Sequence, residues 1–334
     1  MDKDVLRDVY LSNEDKIKVQ NDGVREAKAK QKPYLDKIKG SMIGGAAGDA
    51  LGYTVEFLRD YQIFDKYGKQ GITEYDLTNG IAQISDDTQM TLFTANAILF
   101  GETRLAMRGI GGDPMMYAPC AYLDWNLTQL THILNRIVYP TDEKLSTEEI
   151  IMEARDAVKE LFCGDRHIDE LVSIINKAIE LSKNDEEDLK NIKRLGESWV
   201  AEETLAIAIY CSLKYQNDFS KGIVAAVNHS GDSDSTGAVT GNILGALIGY
   251  ENIDKKWKNN LELHDVIAEM SEDLCYGCHM DEYSDYYDEE WVRKYMDIHW
   301  KNDINDEPQN PLDIINSTGG LARMNRILRS GGKL

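Results

Sequence analysis

Two short acidic turns carry the residue types most able to do chemistry. Ser85-Asp86-Asp87-Thr88 stands where an extended segment enters a helical pattern. Gly231-Asp232-Ser233-Asp234-Ser235-Thr236 opens a second helix. Each turn has a plain structural reading, because Ser and Asp are favoured helix N-caps and acids in the first turn complement the helix dipole. One acid per turn satisfies that reading. Adjacent Asp86 and Asp87 repel each other, and alternating Asp232 and Asp234 in a turn of small residues can aim two carboxylates at one point. Hard cations such as Mg2+, Mn2+ and Ca2+ take oxygen ligands of this kind. The spacing is not that of an EF-hand. Four aspartates sharing a site would destabilise it unless cations neutralised them. On spacing alone, capping and metal ligation both stand.

A third constellation is Gly48-Asp49-Ala50-Leu51-Gly52, followed by Glu56. Asp49 and Glu56 share a helix face if the helix continues between them; the alternative is a surface carboxylate. His229, with Ser230 and Gly231, precedes the second acidic turn. Its imidazole either orients that turn or contacts a ligand. Cys275-Tyr276-Gly277-Cys278-His279 has the spacing of a haem-attachment site, but no secretory signal accompanies it and no second cysteine pair completes a zinc site.

Helices must position these residues. Gly40, Gly44, Gly48 and Gly52 recur every four residues in Lys39 to Phe57, and Gly237, Gly241, Gly245 and Gly249 do so in Thr236 to Tyr250. Residues four apart share a helix face. A glycine inside a helix costs about 1 kcal/mol relative to alanine, so each stripe needs an offset. Close approach of another backbone, of one stripe to the other or of both to a shared neighbour, supplies it; the competing reading is that the glycines break the helices. Apolar periodicity predicts further helices over Thr88 to Phe100, Ala118 to Leu134, Glu148 to Leu161, Ile168 to Leu181, Ala201 to Tyr215, Val266 to Leu274 and Leu312 to Leu328. Only Gln70 to Tyr75 and Ile81 to Ile84 read as brief strands. Asn184 to Asp188 reads as an acidic surface turn. The fold class is all-α. The expected organisation is a charged extension over residues 1–34, bounded near Pro33, and one compact multi-helix domain over residues 35–334.

The 334 residues carry a formal net charge of −21. A surface that acidic repels phosphate backbones and anionic lipid, which argues against nucleic-acid and membrane partners. It suits metal cations, a basic protein partner or solubility. Five scattered cysteines argue against a disulfide framework and for a reducing compartment. The first ten residues lack an apolar signal core, and Thr236 to Tyr250 is too short and too glycine-rich for a membrane span. The expectation is a cytoplasmic protein.

The motifs taken together resemble the ADP-ribosylglycohydrolase family, which includes the dinitrogenase reductase-activating glycohydrolases and the ADP-ribosylarginine hydrolases. The resemblance runs through Gly48-Asp49-Ala50-Leu51-Gly52-Tyr53-Thr54-Val55-Glu56-Phe57, then Ser85-Asp86-Asp87-Thr88-Gln89-Met90, then His229-Ser230-Gly231-Asp232-Ser233-Asp234-Ser235-Thr236-Gly237, in the family's order. Ala121-Tyr122-Leu123-Asp124-Trp125 with Thr128-Gln129, and Trp199-Val200-Ala201-Glu202-Glu203, are also similar to family segments. The likeness covers most of residues 38 to 250. It implies an all-α fold around two divalent cations, Mg2+ or Mn2+, held by Ser85, Asp86 and Asp87 on one side and by Asp232, Asp234 and Ser235 on the other. Ser85 stands where the family often has threonine. The resemblance also implies a catalytic or substrate-gating role for Glu56 and a supporting role for Asp49 beside the substrate, with His229, Ser230 and Gly231 near it.

One family feature has no counterpart here. The glycine-rich segment that helps hold ADP-ribose is missing, and residues 130 to 198 read as charged helices instead. Gly109 to Asp113 is a different feature. The implied function is hydrolysis of the glycosidic bond that joins ADP-ribose to a protein side chain, arginine first. Hydrolysis of a free ADP-ribose-containing small molecule is the second reading. The third is a binding or immunity protein whose residues 1–34 contact a partner such as an ADP-ribosylating toxin.

Overall fold

A computed structural model describes residues 13–109, 125–141, 145–165, 167–281 and 286–296. Helix follows helix: α1 (Asn13–Tyr53), α2 (Asp60–Tyr67), α3 (Asp86–Arg108), α4 (Trp125–Val138), α5 (Thr147–Leu161), α6 (Ile168–Leu181), α7 (Asp188–Leu195), α8 (Ala201–Lys214), α9 (Phe219–Val227), α10 (Ser233–Ile248), α11 (Lys255–Lys258), α12 (His264–Tyr276) and α13 (Glu289–Tyr295). Among the described residues there is no sheet, only isolated bridges between Thr78 and Ile81 and between Ala82 and Leu261. The all-α expectation holds. Neither brief strand forms as such. At Ile72 a side chain replaces a strand partner: Ile72 N donates to Asn228 Oδ1 at 2.8 Å, and Asn228 Nδ2 donates to Ile72 O at 2.9 Å. The expected helices over residues 118–124 and 312–328, the feature at residues 110–113, and the family-like segment 121–124 lie outside the described residues.

The chain divides into two contact units. One holds residues 34–91 and 122–272, the other residues 1–33, 92–121 and 273–334. Helix α1 runs through Pro33 without interruption, although that residue brings no backbone N–H.

In the unit of residues 34–91 and 122–272, α8 is the central helix. Every residue from Thr204 to Ser212 is buried, and a helix covered on all faces must sit inside its bundle. Helices α6, α9 and α10 pack on it. The helices around it are amphipathic. In α6, Leu171, Ile175 and Ala178 recur on one buried face. Helix α5 starts at a capping box, with Ser146 accepting from Glu149 N and Glu149 reaching back to Ser146 N.

The two glycine stripes meet. Helices α1 and α10 pack antiparallel, pairing Gly40 with Gly245, Gly44 with Gly241, Gly48 with Gly237 and Gly52 with Ser233. A Cβ placed on Gly48 would fall 1.9 Å from Gly237 O, and one on Gly237 would fall 2.3 Å from Gly48 O. Only a residue without a side chain fits such a seam. Seven of the eight glycines therefore lie inside the helices, and backbone contact offsets their conformational cost; Gly249, at φ +81°, is the C-cap at which α10 ends.

In the other unit, Trp291 Nε1 donates to Thr103 Oγ1 at 2.8 Å. Asp273 accepts from Tyr295 OH at 2.6 Å and pairs with Lys294 at 3.2 Å. Cys275 is buried and Cys278 partly so.

Candidate functional site

The seam brings the end of α1 to the start of α10, and the acidic residues gather there. Helix α1 stops at Tyr53, where Gly52 lies against the backbone of Ser233 and Asp234. The chain then turns, with Val55 N bonded to Gly52 O at 2.8 Å and Leu58 N to Val55 O at 2.9 Å. Glu56 sits in that turn. The helix does not continue from Asp49 to Glu56, so the two carboxylates do not share a helix face and their surroundings differ.

Asp49 is fully buried in α1. Its carboxylate accepts from Ser85 N at 3.0 Å, from Thr88 N at 3.1 Å and from the Thr88 hydroxyl. These are donors that the first turn of α3 cannot satisfy within the helix. Asp49 thus caps a neighbouring helix. Burial pushes its carboxyl up to about 7 against those hydrogen bonds, which pull it down.

Ser85 and Asp232 act as N-caps, as the plain reading of each turn has it. Ser85 Oγ accepts from Asp87 N at 3.1 Å, and Asp232 accepts from Ser235 N at 3.3 Å. Capping does not exhaust the acids. Glu56, Asp232 and Asp234 each offer a carboxylate oxygen within 4.8 Å of the other two. Ser235 Oγ donates to Asp87 Oδ2 at 2.9 Å, which ties the first turn to the second. Asp86 is exposed on the same turn.

The electrostatics follow from the crowding. Burial, then the negative charges of Asp234, Asp86 and Asp87, push Glu56 up to about 7. Burial, then Asp234 and Asp86, push Asp87 up to about 6, against the Ser235 hydrogen bond. Asp232 and Asp234 are both raised by burial, and Asp234 further by its contact with Asp232. A cation among these groups would relieve both the repulsion and the desolvation. The donors are oxygens only, from carboxylates and hydroxyls, which suits a hard divalent ion. Glu56, Asp232 and Asp234 therefore fit a metal.

His229, Ser230 and Gly231 shape the second turn from behind. His229 is 1% exposed. Its Nδ1 lies 2.9 Å from Ser230 O, a pure acceptor, so Nδ1 carries the proton; Nε2 lies 3.1 Å from Thr236 Oγ1, whose hydroxyl donates to Ala226 O at 2.8 Å. Burial lowers its pKa and keeps it neutral. Ser230 Oγ accepts from Asp60 N at 2.9 Å at the start of α2. Gly231 has φ +123° and lies against Glu197 O, where a Cβ would come within 1.9 Å. The loop before α8 completes the wall: Asp232 N donates to Glu197 O at 3.0 Å, and Ser198 Oγ lies 2.7 Å from Asp232 O. Sequence reasoning touched this loop only through the family likeness of Trp199 to Glu203. The positive φ of Ser198 has no signature in residue type.

Three comparisons relate the chain to known proteins. The model of the ADP-ribosylglycohydrolase family matches residues 30–136 and 112–283. ADP-ribosylarginine hydrolase Tri1 of Serratia proteamaculans (strain 568) is 39% identical over 74 residues, covering 22% of this chain and 20% of that protein. ADP-ribosylhydrolase ARH3 of Bos taurus is 24% identical over 151 residues, covering 41% of this chain and 40% of that protein. The matches thus span between a fifth and two fifths of these relatives. A solved structure titled ADP-ribosylglycohydrolase-related protein complex is 21% identical, covers 73% of this chain and 98% of that one, and aligns with a TM-score of 0.39.

Proposed function

We propose, from the premise that the chain belongs to the ADP-ribosylglycohydrolase family, that it hydrolyses the glycosidic bond between ADP-ribose and a protein side chain, arginine first. The observation that carries the reading is the meeting of Glu56, Asp232 and Asp234 within 4.8 Å of one another. The arginine acceptor rests on likeness to a hydrolase named for ADP-ribosylarginine.

Ser85, Asp86, Asp87, Asp232, Asp234 and Ser235 would hold two divalent cations, Mg2+ or Mn2+. Bound there, the cations would supply Lewis acidity for the ribose and the attacking water. The chain's own residues do the rest. Glu56, pushed up to about 7 by burial and then by the neighbouring acids, takes a proton from the attacking water as general base. The carboxylates of both turns stabilise positive charge developing at the anomeric carbon, whose transition state resembles an oxocarbenium ion. Asp49 fixes the start of α3, and with it Asp86 and Asp87. His229, Ser230 and Gly231 fix the turn that carries Asp232 and Asp234. The bond from the anomeric carbon to the acceptor nitrogen breaks with its electron pair on nitrogen, which takes up the proton that Glu56 drew from water, and water's oxygen takes its place on the carbon.

One observation favours a second reading. Where the family's glycine-rich ADP-ribose segment is expected, the chain builds α5, α6 and α7 around buried Ile151, Ile175 and Ile192. A smaller ADP-ribose-containing metabolite suits that difference. The deciding experiment incubates the protein with ADP-ribosylated arginine and Mg2+ or Mn2+, with and without chelator. The proposal expects release of ADP-ribose that chelator abolishes. Release that survives chelator, or survives replacing both Asp86 and Asp234 by alanine, rules out the mechanism. Metal binding without release shifts the assignment to the metabolite.

A further inference from the structure

We infer that Glu203 is a positioning residue for Asp232, acting through the loop of residues 196–198; the inference rests on the metal-centre reading above. Glu203 is the third residue of α8, whose N-cap is Val200. A glutamate at that position ordinarily reaches back to the N-cap N–H. This one reaches further. Its Oε2 accepts from Ser198 N at 2.9 Å and from Glu197 N at 3.1 Å. Gly196 makes room for it: that residue has φ +137°, and a Cβ there would fall 2.2 Å from the Glu203 carboxyl carbon. Thr204 Oγ1 adds a bond to Ser198 O at 3.0 Å. Ser198 is thereby held at φ +61°, a left-handed conformation that a non-glycine residue adopts only under such support.

The other side of the same loop grips Asp232. Glu197 O accepts from Asp232 N at 3.0 Å. Ser198 Oγ lies 2.7 Å from Asp232 O and 2.6 Å from Glu197 O, so its hydroxyl spans the two carbonyls. The backbone of Asp232 is therefore held at its N–H and at its C=O by two consecutive loop residues, both of which hang on one carboxylate. The Asp232 side chain lies within the acidic cluster. Glu203 is not itself among the residues of that cluster, so its contribution is to place a ligand. Outer partners of this kind are worth about 10- to 100-fold in metal affinity.

The test is calorimetric titration of Mn2+ into the full chain and into Glu203→Ala, Glu203→Gln and Ser198→Ala, with melting curves recorded for each. The inference expects Glu203→Ala to weaken Mn2+ binding about 10- to 100-fold while a cooperative melt is kept. Gln, which retains one acceptor oxygen, should recover part of the loss, and Ser198→Ala should weaken binding in the same direction. Unchanged Mn2+ affinity in Glu203→Ala, with only a lower melting temperature, would mean that Glu203 merely starts α8, and overturns the inference. If Glu203→Ala does not fold, Ser198→Ala decides, and wild-type affinity there overturns it as well. Absence of Mn2+ binding by the unsubstituted chain is a separate result: it removes the metal-centre reading, and this inference with it.

Discussion

Asp49 and Glu56 bear the same functional group in opposite surroundings. Asp49 is sealed among the N–H groups of α3, and Glu56 faces other carboxylates. Replacing Asp49 by asparagine sets an amide N–H2 against backbone donors; the expected loss is about 1–3 kcal/mol of stability, read by denaturant unfolding of the metal-free chain. Replacing Asp234 by alanine should do the reverse. It removes a repelled charge, so the metal-free chain keeps or gains stability while Mn2+ binding, followed by titration, is lost. The pH dependence has a definite sign. Asp49 and Glu56 titrate near 7 and Asp87 near 6 in the fold, against about 4 for ordinary carboxylates. Folded values that are raised make the folded state bind protons more tightly than the unfolded chain. That stability is present in full below about pH 4 and is lost as pH rises through about 7. Metal-free protein should therefore melt higher at about pH 6 than at about pH 8. Saturating Mn2+ should flatten or invert that trend, because the ion needs the carboxylates ionised. A metal-free chain that is more stable at the alkaline end contradicts the assignment.

At the scale of elements, the α1–α10 seam makes the sharpest stability contrast. Gly→Ala normally favours a helix by about 1 kcal/mol, and Gly23 of α1, with nothing within 4 Å of an added Cβ, should follow that rule. Gly48→Ala should go the other way by about 1–3 kcal/mol, since the new atom meets the Gly237 carbonyl. Equal melting shifts for the two variants would contradict the packing. The stripes, the amphipathic face of α6 and the acidic helix starts were legible because each repeats or concentrates a residue type. Other parts were not. The end of α1 at Tyr53 depends on where α10 begins. The loss of a strand at Ile72 depends on Asn228, which is 156 residues away in sequence. Short α2, α7 and α9 have too few turns to establish a period. The loop before α8 works through backbone atoms, which residue types do not reveal.

At the scale of the molecule, the charge of −21 opposes compaction by self-repulsion. Melting of the metal-free chain should rise as NaCl goes from about 0.01 M to about 0.15 M, where the screening length falls to roughly 8 Å; a flat response would place the repulsion in the acidic centre alone. No helix among the described residues is long and apolar enough to cross a membrane. The glycine seam has a consequence at this scale. From Gly52 back to Gly40 is about 18 Å along the helix at 1.5 Å per residue, and over that length α1 and α10 touch through main chain, with no rotamers to take up slack. A bulky change at the far end, at Gly40 or Gly245, has no local place to dissipate. It must tilt one helix on the other, and the tilt is delivered to the carboxylates at the opposite end. A saturation-mutagenesis map scored on activity should therefore show a line of intolerant positions leading away from the centre, none of which contacts what binds there.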